Sequence, residues 1–102
     1  MDVKKVDFFQ GKKIEILEMI LKNVDNQLDV LWKIQIENEF FQITFSNVSR
    51  FRMGVVSLPL EIHGFEILKH SQNGWEKDST YEIRDFEDDR IGFFCECFET
   101  EI

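Results

Sequence analysis

Apolar and polar residues alternate most cleanly between Leu28 and Glu37. Leu28, Val30, Trp32, Ile34 and Ile36 take one parity, and Asp29, Leu31, Lys33, Gln35 and Glu37 the other. Period two marks a strand with one face buried. Upstream, Ile14 to Leu21 is more continuously apolar, and Asn23-Val24-Asp25-Asn26-Gln27 joins the two runs with residues that bond their own backbone in turns. Beyond Glu37-Asn38-Glu39 the alternation resumes, with Phe41, Ile43 and Phe45 opposed to Gln42, Thr44 and Ser46. Three strands in an antiparallel meander follow from this pattern.

Residues 47–60 carry less periodicity. Asn47 to Arg52 reads as an extended continuation, but Gly54 and the sole proline, Pro59, interrupt it, so the stretch is expected to cross between two halves of the domain. Ile62, Gly64 or Phe65, and Ile67 then indicate a fourth strand, closed by His70-Ser71-Gln72-Asn73-Gly74, whose Asn-Gly pair suits a tight hairpin. A fifth strand covers Tyr81 to Phe86. The acidic tip Glu87-Asp88-Asp89 turns the chain into a sixth, from Arg90 to about Glu99. Ile91, Phe93, Cys95 and Cys97 share one face of it, and Phe94 and Phe98 the other, so both faces need cover. Residues Asp2 to Gln10 fit neither period, which leaves helix and strand both open there. The expected fold is all-β and mainly antiparallel, with six to seven strands in a sandwich or a sheet with one covered face, plus one short helix at most.

Size agrees with a single domain spanning 1–102: with 43% hydrophobic residues among 102 there is material for one core. Eleven phenylalanines and two tryptophans make that core aromatic, which also favours pleated surfaces. The net charge is −8, and residues 76–102 hold ten acidic and three basic side chains against ten and nine before them. Such a field repels phosphate backbones, so nucleic acid is an unexpected partner, whereas a basic protein would be attracted. No apolar run nears the roughly 20 residues of a membrane span, and the first residues lack a signal-peptide core, so the expected location is the cytoplasm. Cys95 and Cys97, two apart on one strand, sit at about the limit of disulfide reach and are expected to be reduced.

Candidate chemistry is sparse. Cys-x-Cys falls outside the spacing of structural zinc sites, and His63 and His70 differ by an odd number of positions. The run Asp85, Glu87, Asp88, Asp89 lacks the alternating ligands and glycine of a calcium loop and reads as a solvated turn. Cys95 beside Glu96, with His63 or His70 brought in by folding, is the least poor catalytic triad, and no pair among the 20 acidic residues stands out as hydrolytic. No catalytic residue, cofactor or metal is expected, and the chain is read as not an enzyme. Trp32 lies in the apolar register and reads as core. Trp75, beside the Asn-Gly turn, pairs with Tyr81 as the most promising aromatic contact. The candidate partner-binding set is Trp75, Tyr81, Asp85, Glu87, Asp88 and Asp89.

Three segments carry a family resemblance: Ile43-Thr44-Phe45-Ser46-Asn47-Val48-Ser49-Arg50-Phe51, Gly74-Trp75-Glu76-Lys77-Asp78-Ser79-Thr80-Tyr81, and Asp85-Phe86-Glu87-Asp88-Asp89. Together they resemble small Bacillus-type proteins of the YxiG-like kind, across most of the chain. The resemblance implies a toxin and immunity setting, in which a small protein neutralises a cognate toxin, and it transfers no catalytic residue. An acidic domain of this kind would bind a basic toxin domain and cover its phosphate site. The alternative class is a homo-oligomeric or accessory β module, dimeric through an exposed strand edge.

Overall fold

In this computed structural model, which describes residues 3–5, 13–54, 57–70, 81–85 and 87–101, every regular element is a strand. β1 is Val3–Lys5, β2 Ile14–Val24, β3 Gln27–Ile36, β4 Glu39–Met53 and β5 Leu60–Ile62. β6 is Phe65–His70, β7 Tyr81–Asp85, β8 Ile91–Cys95 and β9 Cys97–Glu101. The all-β, antiparallel class is as the alternation predicts. The described strands number nine rather than six or seven, because three predicted segments divide or extend differently.

β2, β3 and β4 form the expected meander. Each connection is a two-residue loop with both residues at positive φ: 50° and 64° at Asp25 and Asn26, and 50° and 69° at Glu37 and Asn38. That backbone sign matches the twist of the flanking strands and lets a two-residue hairpin close. Asn and Asp tolerate it because their short polar side chains bond locally.

Asn47 to Arg52 continues the strand as the sequence reads, and β4 itself crosses between the two halves, pairing with β3 and β9 at one end and β8 at the other. β4 runs unbroken to Met53, and its change of direction comes from two local irregularities. Asn47 (φ 54°) and Arg50 (φ 53°) take left-handed backbone angles, and the register slips opposite them, between Leu28 and Val30 on β3 and between Ser49 and Arg52 against β8. Extra residues in one strand of a pair increase its bend and twist. Asp29 Oδ1 accepts the Asn47 N–H at 3.1 Å, so the irregularity has its own hydrogen bond. The first half of β4 lies between β3 and β9, and the second half pairs with β8.

The predicted last strand likewise divides. At Glu96 the chain bends, and the Glu96 N–H donates to the Ser46 carbonyl at 3.0 Å. The bend breaks parity, so Cys95 is buried while Cys97 is exposed, instead of sharing a face. It also separates the two phenylalanines: Phe98 packs against the core, and Phe94 lies under the Arg50 guanidinium, 5.3 Å from the ring centre. The single predicted strand around Ile62 and Ile67 is two, β5 and β6, interrupted at His63 and Gly64. Within Asp2–Gln10, Val3–Lys5 is strand, paired with β6; the rest of that segment and the Asn73-Gly74 turn lie outside the described residues.

The strand order is β1-β6-β7-β8-β4-β3-β2-β5, with β9 beside β4. β5 ends this order at one side and β6 stands next to the other end, yet only His63 and Gly64 separate them in sequence. A two-residue link can join such distant positions only if the sheet rolls until its ends approach. Arg90, after β7, spans the same region: its Nη2 donates to the Glu61 carbonyl of β5. The concave side encloses Ile14, Ile16, Ile34, Ile43, Ile62, Ile83 and Ile91, all without measurable exposure. At the centre Trp32 meets Phe45 and Phe93 edge-on at ring separations of 4.9 and 5.7 Å and Phe65 at a tilt at 5.8 Å, and aromatic contacts of this kind add to simple area burial.

Candidate functional site

The acidic hairpin is largely self-neutralised. Asp85 ends β7 and is fully buried, so its carboxylate is structural rather than available to a partner. It accepts the Asp88 N–H at 3.3 Å and the Arg90 N–H and Nε at 3.4 Å each, while its carbonyl accepts the Asp89 N–H at 2.8 Å. The chain turns tightly because one buried side chain gathers the donors of the loop that follows. Glu87, Asp88 and Asp89 are exposed at the tip as expected. Asp88, however, pairs with Arg90 at 3.3 Å and Asp89 with Arg52. Arg52 reaches across because its register partner on β8 is Gly92, where a Cβ would stand 2.6 Å from the guanidinium. Of the four carboxylates in the run, only Glu87 has no cationic partner among the described residues.

Tyr81 is half-buried, with its ring edge-on to Phe98 at 5.0 Å and Lys69 Nζ 6.0 Å above it. It packs within the sheet and is not an exposed anchor. Trp75 lies outside the described residues.

Cys95 sits in the core, where burial, and secondarily the neighbouring Cys97, pushes its thiol from 9.0 up to about 12. A neutral buried thiol is a poor nucleophile. Glu96 is exposed at the bend, and His63 lies at the surface beside Glu61, 3.6 Å away. Among the described residues no group of three or more His, Cys, Asp or Glu is placed to hold a metal ion. No helix among them is long and apolar enough to cross a membrane.

A different surface stands out on the convex side of the meander. Strand register lines up Glu18, Lys33, Gln42 and Glu101 in one row across β2, β3, β4 and β9. Leu17 and Phe40 flank the row, and together these residues line a groove of about 340 Å³. Leu17 is the extra residue where β2 slips register between Ile16 and Glu18. Phe40 is 61% exposed, the most exposed of the large apolar side chains among the described residues. Glu18 and Lys33 pair at 3.6 Å across the row. Glu101, and Glu99 opposite Thr44 on the same face, have no cationic partner among the described residues.

The sequence held a signal for this surface. Phe40 and Phe41 are adjacent on a strand, so one of them must face away from the core. Phe41 follows Ile43 and Phe45 inward, which sends Phe40 out. What could not be read locally is that β9 would lie beside β4 and bring Glu99 and Glu101 to the same face.

Fold and site together define an all-β, mainly antiparallel domain with a rolled sheet and an acidic, aromatic-rimmed groove on its convex face. No protein-family model, curated protein or solved structure matches the chain.

Proposed function

We propose that this chain is a non-catalytic binding protein of the immunity kind, which neutralises a basic toxin domain by contact through the convex groove. The observation that carries the reading is Phe40, 61% exposed at the rim of a groove that also presents Glu101. An exposed ring beside uncompensated carboxylates suits a partner that offers a cationic side chain and an apolar contact together, because aromatic anchors supply most of an interface's energy and surrounding charge supplies steering and selectivity. The net charge of −8 extends that attraction over the whole molecule. The resemblance to YxiG-like proteins supplies the toxin setting. Internal pairing of Asp85, Asp88 and Asp89 moves the expected contact from the hairpin tip to the groove.

The test uses the tagged chain as bait in extract from its native cells, beside Phe40→Ala and the double variant Glu99→Gln, Glu101→Gln. A basic protein should be retained by the parent and bound about tenfold more weakly by either variant, the loss expected for removing one anchor. Expression of that protein alone should arrest growth, and co-expression of the parent chain should relieve the arrest. A captured protein held equally by all three baits, or one whose expression is harmless, overturns the reading.

A further inference from the structure

The edge of β2 is the second unusual surface. β5 covers this edge only at Ile14–Ile16, and among the described residues no strand pairs with it from Leu17 to Val24. Ile20, Leu21 and Val24 are 38%, 51% and 44% exposed there. Open, apolar strand edges invite pairing with another chain, and soluble proteins usually blunt them.

We propose that the occupant of this edge is a second copy of the chain, joined antiparallel through β2 about a two-fold axis at Ile20. The argument is the self-complementarity of the segment. In an antiparallel pair related by a two-fold axis, outer-face residues stand opposite outer-face residues. On β2 the outer face presents Glu18, Ile20 and Lys22, the register partners of Lys33, Leu31 and Asp29 on β3. Centring the axis on Ile20 sets Glu18 of each copy against Lys22 of the other, and Ile20 against its own equivalent. Shifting by two residues in either direction opposes a charge to an isoleucine, and shifting by four opposes like charges. Only one face-preserving register therefore joins carboxylate to ammonium.

The rows then extend across both copies. Lys33, Glu18, the second copy's Lys22 and its Asp29 alternate in sign over four adjacent strands, and Leu31, Ile20 and the second copy's Ile20 and Leu31 form an apolar strip between two such rows. Opposite-charge and aliphatic cross-strand pairs are the units that stabilise a sheet. On the inner face Met19, which packs against the core, comes opposite the second copy's Leu21 and covers a side chain now half exposed. The paired stretch Glu18 to Lys22 stops short of Ile16, which β5 already holds.

Sedimentation of the full chain tests this. The parent should sediment at twice the 12.2 kDa chain mass, and Ile20→Lys, which places a charge at the axis on an already exposed side chain, should sediment at 12.2 kDa with the urea midpoint that the parent shows when diluted until its dimer dissociates. Glu18→Lys alone and Lys22→Glu alone should each weaken self-association by about tenfold or more, since each opposes like charges twice. Mixing those two variants restores both ion pairs and should recover the dimer as a heterodimer. A parent that is monomeric at every soluble concentration overturns the proposal, as does a dimer indifferent to these changes or a mixture that fails to recover. Glu18 lines the groove, so Glu18→Lys is read by sedimentation alone; Ile20→Lys and Lys22→Glu lie outside the groove, so failure here is distinct from failure of the groove.

Discussion

Cys95 and Cys97 differ by two positions yet experience opposite environments, because the bend at Glu96 interrupts alternation between them. The consequence is measurable. A thiol reagent should modify Cys97 in the native protein and reach Cys95 only after denaturation. Cys95 also links stability to alkaline pH. Its thiol rises from 9.0 to about 12 on folding, so between those values the unfolded chain releases a proton that the folded chain keeps. Stability should be intact below pH 9 and decline as pH climbs toward 12, and Cys95→Ala should flatten that slope in urea titrations across the range. Phe40 and Phe41 make the same point without a bend: neighbouring identical residues face opposite sides, and only Phe41 packs against the core.

At the scale of elements, the hairpin joining β7 and β8 depends on a carboxylate that faces inward. Asp85 receives three donors from the loop it initiates and is fully buried, whereas Glu87, two residues on, is exposed. Asp85→Ala leaves those donors and Arg90 without their acceptor and should cost about 2 kcal/mol, read from the urea midpoint. Glu87→Gln, at the exposed tip, should change stability by no more than about 0.5 kcal/mol. The contrast separates a carboxylate that shapes the turn from one that only charges its surface, a distinction their common position in an acidic run conceals. The ion pairs Arg52–Asp89 and Arg90–Asp88 are partly solvated, and pairs of that sort contribute little to stability. Their effect is to neutralise the tip, which is why the groove is the better candidate for a basic partner.

Across the whole molecule, the rolled sheet concentrates its aromatic residues at one point. Trp32 and Phe45, from the β3–β4 hairpin, meet Phe65 from β6 and Phe93 from β8, strands distant from it in the chain. Trp32→Ala should therefore cost about 3–5 kcal/mol in denaturant unfolding. That is a large share of the roughly 5–15 kcal/mol that holds a domain of this size together. The rolled shape also explains why the groove is convex: when the inner face of the meander closes around the core, its outer face, with Phe40 and the row from Glu18 to Glu101, is turned outward.

Local alternation was enough to determine the β class, the three-strand meander with its turns at Asp25-Asn26 and Glu37-Asn38, the place of Trp32 in the core and the outward turn of the Glu87–Asp89 tip. Each depends on neighbours within a few residues, where strand periodicity and turn chemistry act directly. Tertiary structure decided the rest. The bend of β4 at Asn47 and Arg50 rests on left-handed backbone angles, tolerated by Asn but unusual for Arg, and on the register shifts against its neighbours. The division at Glu96 rests on a hydrogen bond to Ser46, fifty positions earlier. Asp85 is inside, and Glu101 stands beside Gln42, because rolling the sheet brings together strands that are far apart in sequence. Periodicity specifies which side of its own strand a residue occupies; which strand lies alongside is set by closure of the common core, and the candidate site is made of such neighbours.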